Sequence, residues 1–189
     1  MDLRLLTGAY ERSAATYDAT FRALQRPKYE TAARLLGGFR LDPGARCLDA
    51  GGGSGLFSEW LEEDDASGED VRRALRKARV IVLDASLAML RHARARGLPC
   101  VGADLALAPL RPLSFPLVVS FTAVLGEVPR ALRSLGQLVA PGGRLVVSFL
   151  AVEAPAATLV ARQSGLALIA GPAAAGQDRV FVLAQGGSK

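Results

Sequence analysis

Apolar and polar positions along the chain change period several times, and each change marks a predicted element. Over residues 8–38 apolar residues recur at helical spacing: Tyr10, Ala14, Tyr17 and Phe21, then Tyr29, Ala33 and Leu36. Pro27 separates the two sets, so the pattern predicts two helices. Short apolar runs read as buried strands at 46–50, 79–84, 98–103, 117–121, 144–150, 166–170 and 179–184. The second of these is the richest in β-branched residues. Helical stretches are predicted at 54–61, 70–78, 86–96, 129–139 and 153–163. Ser86 reads as the N-cap of the 86–96 helix and Gly97 as its stop. Pro43-Gly44 and Pro141-Gly142-Gly143 read as turns, and a Gly/Pro/Ala loop is expected before the last strand.

Alternating strands and helices predict an α/β fold: a three-layer α/β/α sandwich around a seven-stranded, mostly parallel sheet. No helix is predicted between the last two strands, so they should pair antiparallel. No internal repeat or long linker interrupts the pattern, and residues 1–189 are expected to form one domain.

Composition narrows the class. Half of the 189 residues are hydrophobic, which excludes wholesale disorder. The longest largely apolar run, 145–152, is far short of the roughly 20 residues of a membrane-spanning helix. The segment Met1-Asp2-Leu3-Arg4-Leu5-Leu6 lacks the apolar stretch of a signal peptide. A soluble, cytoplasmic protein with no membrane partner is therefore expected. One histidine, His92, excludes His-based metal clusters, and no metal is expected. Cys47 and Cys100 have no metal-ligand spacing and form no disulfide framework. The net charge of +5 would suit nucleic acid, but its distribution does not. An acidic run (Glu62, Glu63, Asp64, Asp65, Glu69, Asp70) adjoins a basic one (Arg72, Arg73, Arg76, Lys77, Arg79), and neighbours of opposite sign largely cancel. On a helix, Glu69 and Arg73 would pair at i,i+4, which reads as a solvated charged face.

The chemistry-bearing segment is Leu48-Asp49-Ala50-Gly51-Gly52-Gly53-Ser54-Gly55-Leu56. It follows a predicted strand and opens a predicted helix, the context that a nucleotide-binding glycine loop requires. Glycines permit a tight turn and close approach of a ligand to backbone. The helix N-terminus adds N–H donors. The dinucleotide spacing G-x-G-x-x-G would need glycine at position 56, where Leu56 stands.

The spacing Asp49-x-Gly51-x-Gly53-x-Gly55 instead resembles the first motif of the class I, Rossmann-like S-adenosylmethionine-dependent methyltransferases. Further motifs agree in order. Val82-Leu83-Asp84-Ala85-Ser86-Leu87-Ala88-Met89-Leu90 resembles the family's second-strand signature. Gly102-Ala103-Asp104-Leu105 resembles its acidic position after the third strand, and Leu138-Val139-Ala140-Pro141-Gly142-Gly143-Arg144-Leu145 its turn before the fifth. The resemblance spans about residues 45–150.

The resemblance implies a strand order of 3-2-1-4-5-7-6. That order puts the second strand between Cys47 and Cys100, about 10 Å apart and too far for a disulfide, so both read as buried thiols. The resemblance also implies S-adenosylmethionine as cofactor, with S-adenosylhomocysteine as product. Ala50, Gly51, Gly52, Gly53 and Gly55 would pass beneath its methionine and ribose portions, and Asp49 resembles the acid that lies near its ammonium group. Asp84, with Ala85, would accept the ribose hydroxyls. Asp104 would face the adenine amino group, and Leu105 would offer its N–H. Met89 and Leu105 would wall the adenine, and Ser120 and Tyr17 complete the cofactor set. In similar small-molecule enzymes an N-terminal Tyr-Asp element, here Tyr17-Asp18, lids the cofactor, which makes 8–38 a lid. Acceptor-side candidates are Tyr17, Tyr10 and Glu127, the last as a general base.

Departures from the family pattern bear on the acceptor. Asp84 stands 29 residues after Gly55, beyond the usual spacing of about 20, because of the charged segment 62–79. Ser120-Phe121-Thr122-Ala123 is neither the motif of base- or amide-nitrogen methylation nor a Pro-Cys nucleophile pair. A small-molecule acceptor is the first expectation, and a nucleic-acid or protein acceptor the second. A non-catalytic S-adenosylmethionine-binding regulatory partner is the remaining alternative. The methylated atom and the oligomeric state are open.

Overall fold

The computed structural model describes residues 3–63, 70–124 and 127–185. Its elements run α1 (Leu3–Leu36), β1 (Arg46–Ala50), α2 (Leu56–Glu62), α3 (Asp70–Arg76), β2 (Arg79–Asp84), α4 (Leu87–Ala95) and β3 (Cys100–Gly102). After a 3₁₀ turn (Leu105–Leu107) come β4 (Phe115–Phe121), α5 (Val128–Leu138), β5 (Val139–Leu150), α6 (Ala157–Ser164), β6 (Ala167–Ala175) and β7 (Asp178–Ala184). The seven strands form one sheet in the order β3-β2-β1-β4-β5-β7-β6. The β3-β2-β1-β4-β5 ladders are parallel. β7 runs antiparallel to both β5 and β6, as the missing crossover helix required.

Strands β1, β2 and β4 are apolar on both faces because helices cover both. On one face Tyr29, Phe57, Trp60 and Phe121 form an aromatic cluster, with Tyr29 4.9 Å from Phe121 and 5.4 Å from Phe57 between ring centroids. On the other, Leu132 and Leu135 of α5 pack with Leu145, Phe181 and Leu183.

Several elements differ from the sequence pattern. The two helices expected over 8–38 are one, with Pro27 inside it. A proline there removes one backbone hydrogen bond and crowds the preceding turn. Buried Tyr29, Ala32, Ala33 and Leu36 hold the following turns against the core, so packing decides the path. The last helix begins at Ala157, not 153, since Pro155 disfavours helical backbone in the residue before it. The loop expected before the last strand is largely strand: β6 extends to Ala175, and register shifts around Gly171-Pro172 absorb the missing N–H on a sheet edge. Pro141-Gly142-Gly143 likewise sits inside β5, where pairing with β4 jumps from Phe115↔Val139 to Leu117↔Arg144.

The charged insertion is also organised differently from a solvated face. Asp64, Asp65 and Glu69 lie outside the described residues, and with them the expected Glu69–Arg73 pair. Arg72 is buried, and its guanidinium lies 4.7 Å from the Trp60 ring centroid. It donates to the Trp60 carbonyl, and at 2.7 Å to that of Glu63. Arg76 donates to Leu61 O at 2.7 Å and Glu63 O at 2.6 Å. These two arginines bond carbonyls at the end of α2, where helical partners run out and Trp60 O otherwise accepts only the long bond from Glu63 N among the described residues. Arg73, Lys77 and Arg79 are exposed, as expected. Both cysteines are free thiols; Cys47 is buried and Cys100 only half-buried, because β3 is a sheet edge.

Candidate functional site

The carboxyl ends of the parallel strands open into a cavity of about 620 Å³, with α1 along its opposite side. Its position follows from topology. The chain leaves β1 toward β2 on one side and β4 toward β5 on the other, so the β1–β4 gap is the switch point where α/β sheets hold ligands.

The glycine loop forms one wall. Gly53 has φ +55°, a conformation L side chains rarely adopt, and a Cβ there would stand 3.0 Å from Met89 Cε. Its N–H donates to Asp84 Oδ2 at 2.9 Å. Asp84 Oδ1 accepts from Ser86 N at 2.8 Å, so the carboxylate ties the loop to the start of α4. Ser86 caps α4 through Met89 N, as the sequence predicted. Gly51, Gly53, Asp84, Ala85, Met89 and Leu105 all line the cavity. Asp104 lines it too, and its Oδ1 caps the 3₁₀ turn by accepting from Ala106 N at 2.9 Å.

Other sequence candidates lie behind this wall. Asp49 and Ala50 are buried at the end of β1. A Cβ on Gly52 would overlap the Asp49 carboxyl group, so that glycine exists to roof it. Burial, and then the charge of Asp84, push the Asp49 carboxyl up to about 7. Its Oδ2 has no hydrogen-bond partner among the described residues. Gly55 packs against Leu98 and Ala93, where it brings α2 close to α4. Ser120 is fully buried in β4. These five positions support the wall without lining the cavity.

Helix α1 brings Tyr17, Phe21 and Leu24 to the cavity, with the Tyr17 and Phe21 rings 4.7 Å apart between centroids. It is latched from outside. Asp18 accepts from Ser54 Oγ at 2.5 Å and pairs with Arg96, which also reaches Ser54 O at 2.5 Å and Glu59 at 2.9 Å. Burial pushes the Asp18 carboxyl up, but the Arg96 and Ser54 hydrogen bonds outweigh it and the net shift is downward. Arg22 pairs with Glu59, and Arg26 with Glu63 at 2.7 Å. The Tyr10 side chain lies outside the described residues. Glu127 lines the cavity but is 71% exposed and paired with Arg130 at 3.3 Å, poor surroundings for a general base.

Sequence reasoning missed a buried polar cluster on the far side of the cavity. Lys28 Nζ donates to Thr122 Oγ1 at 2.5 Å and lies 3.4 Å from Asp178 Oδ1. Asp178 Oδ2 accepts from Thr122 Oγ1 and Ser148 Oγ, both at 2.6 Å. Thr122 has φ +51°, an outlier for a β-branched residue, and its N–H donates to Ser148 O and Oγ. One signal was available: Thr122 directly follows the fourth strand, where cleft residues of such sheets sit.

Comparison with known proteins gives the lineage. Residues 21–173 match the family model described as "Methyltransferase domain". A malonyl-[acyl-carrier protein] O-methyltransferase of Serratia marcescens is 33% identical over 150 residues, covering 77% of this chain and 52% of the relative. The chain thus spans about half the length of that curated relative. A TehB-like SAM-dependent methyltransferase from Corynebacterium glutamicum shares the fold at a TM-score of 0.66 and 21% identity, covering 92% of this chain and 98% of the other. A SAM-dependent methyltransferase from Aquifex aeolicus does so at 0.67 and 14% identity, covering 92% and 97%.

Proposed function

The chain belongs to the Rossmann-like, S-adenosylmethionine-dependent methyltransferase family, and from that premise we propose that it methylates a small-molecule acceptor at oxygen, in the cytoplasm. The observation that carries the reading is the glycine-walled cavity, most of whose lining falls within the matched residues 21–173. We read 1–189 as one such domain with α1 as its lid.

The residues present fit the cofactor. The cavity of about 620 Å³ lies within the roughly 300–1,000 Å³ of ligand pockets. Gly53 presents bare backbone to it. Asp84 Oδ2 accepts from Gly53 N and Oδ1 from Ser86 N, which holds the carboxylate at the cavity wall where a ribose hydroxyl would meet it. Met89 and Leu105 supply apolar surface for a purine. Bound there, S-adenosylmethionine supplies a methyl group on an electrophilic sulfonium. The chain's own contribution is then chiefly to hold the acceptor in line and exclude water. Tyr17 and Phe21 of the latched helix cover the cavity for that purpose. The Asp49 carboxyl, pushed up to about 7 behind the loop, would be drawn back toward its charged form by a cationic ligand.

The small-molecule reading has two supports. The Serratia relative acts on malonyl-[acyl-carrier protein] at oxygen. Two arginines of the basic run are turned inward on α2, which weakens a nucleic-acid surface. Calorimetric titration with S-adenosylhomocysteine tests the cofactor assignment: wild type should bind, and folded Gly53→Val should not. Wild-type affinity in that variant would overturn it.

A further inference from the structure

We propose that Lys28 is the acceptor-positioning cation of this enzyme and selects an acceptor that carries a carboxylate. The inference rests on the reading that the glycine-loop end of the cavity holds S-adenosylmethionine.

The sheet separates two chemistries. Asp84 ends β2 and Asp104 follows β3, whereas Asp178 begins β7 beside the carboxyl end of β5. From β2 to β7 is four strand spacings, or about 19 Å. The Lys28 cluster therefore lies across the β1–β4 switch point from the nucleoside-binding acids. An acceptor reaching the transferred methyl from that side meets Lys28, Thr122 and Asp178, all of which line the cavity.

The cluster is built to present a cation. Lys28 is 6% exposed, and a lysine is rarely buried this deeply unless paired. Burial pulls its ammonium down, and Asp178 opposes that pull. Asp178 is itself fully buried, with Oδ2 held by two hydroxyls, and serves as a fixed counterion. An ammonium has three N–H donors. One goes to Thr122 and one faces Asp178, which leaves a third for an acceptor oxygen. Thr122 meets the cluster with a left-handed backbone, and such strain gathers at ligand clamps.

A carboxylate also fits the rest of the lining. It is ionised at neutral pH, so transfer needs no proton removal. The carboxylate O–C bond forms as the methyl C–S bond breaks, and the electron pair passes to sulfur. Cationic donor and anionic acceptor become a neutral thioether and a neutral methyl ester. Lys28 would hold one carboxylate oxygen while the other attacks.

The test measures binding to the S-adenosylhomocysteine-loaded protein by calorimetry. The probes are acetate, hexanoate, benzoate and malonyl-coenzyme A, each beside a neutral counterpart: acetamide, hexanamide, benzamide and butyryl-coenzyme A. At least one carboxylate should bind tenfold or more tightly than its counterpart. Lys28→Met should erase that preference, Lys28→Arg should retain it, and Asp178→Asn should retain or enlarge it. If Lys28→Met fails to fold, the Lys28→Met/Asp178→Asn double variant removes both buried charges and should lose the preference in its place. No preference for any pair in wild type, or a preference surviving in a folded variant without Lys28, overturns the inference. Failure of S-adenosylhomocysteine to bind wild type would instead bring down the cofactor reading and this inference with it.

Discussion

Gly52 lies directly over the Asp49 carboxyl group: a Cβ there would overlap its Cγ and stand 2.9 Å from Oδ1. The glycine loop therefore does more than wall the cavity; it closes over a buried acid. Gly52→Ala should displace either the loop or the carboxylate. We expect S-adenosylhomocysteine affinity to fall tenfold or more, with a lowered melting temperature, in paired calorimetry and thermal denaturation.

The same acid predicts a pH dependence. The Asp49 carboxyl rises from 3.8 to about 7 on folding, so between about pH 4 and 7 the native state holds more proton than the unfolded chain. Its contribution to stability is fully present below about pH 4 and is lost as pH rises through 7. Asp18, shifted the other way, acts only at the acid end: its contribution is lost as pH falls below 3.8. Urea denaturation at pH 5, 6, 7 and 8 should show declining stability in wild type and a flatter profile in Asp49→Asn. A wild-type profile unchanged in Asp49→Asn would count against the assignment.

Asp84 accepts from Gly53 N of the glycine loop and from Ser86 N at the start of α4, so its removal should act twice. Asp84→Ala should weaken S-adenosylhomocysteine binding by about 2–4 kcal/mol, roughly 30- to 1000-fold. Asp84→Asn should lose less, since one oxygen still accepts. Methylthioadenosine keeps the ribose but lacks the amino-acid tail, and its affinity should fall by a similar factor. A loss confined to the homocysteine ligand would mean that Asp84 faces the tail.

Arg72 and Arg76 cap α2, and their charge is structural. Arg72→Met should destabilise the fold by about 2–4 kcal/mol, through lost carbonyl bonds and the Trp60 stacking. Any RNA retention should be weak, steeply salt-dependent and unchanged by Arg72→Met. A filter-binding series across salt concentrations, read beside a denaturation curve, separates the two effects.

The latch on α1 should control ligand exchange. Arg96→Ala removes the pairs with Asp18 and Glu59 and the bond to Ser54 O. Amide exchange over 16–26 should quicken, and S-adenosylhomocysteine should dissociate faster in stopped-flow measurements. Unchanged exchange in α1 would show that the aromatic cluster around Tyr29 holds the helix without the latch.

The sequence by itself determined the layers of this protein, the strand succession and the loop that walls the cavity. Those features are local: apolar runs of strand length, Ser86 as a cap, and glycines where a turn meets a helix. Asp84 was legible because it ends a β-branched strand beside that loop. Tertiary structure decided what local pattern could not. Pro27 breaks helical periodicity on paper, yet packing around Tyr29 carries α1 through it. Arg72 reads as a surface charge until α2 presents the carbonyls that it and Arg76 bond. Lys28, Thr122, Ser148 and Asp178 come from α1, the bend after β4, β5 and β7, as much as 150 positions apart, and no spacing links them. Their meeting follows from strand order: inserting β7 between β5 and β6 brings Asp178 beside the end of β5, and buried charge is tolerable there only because its partners arrive together.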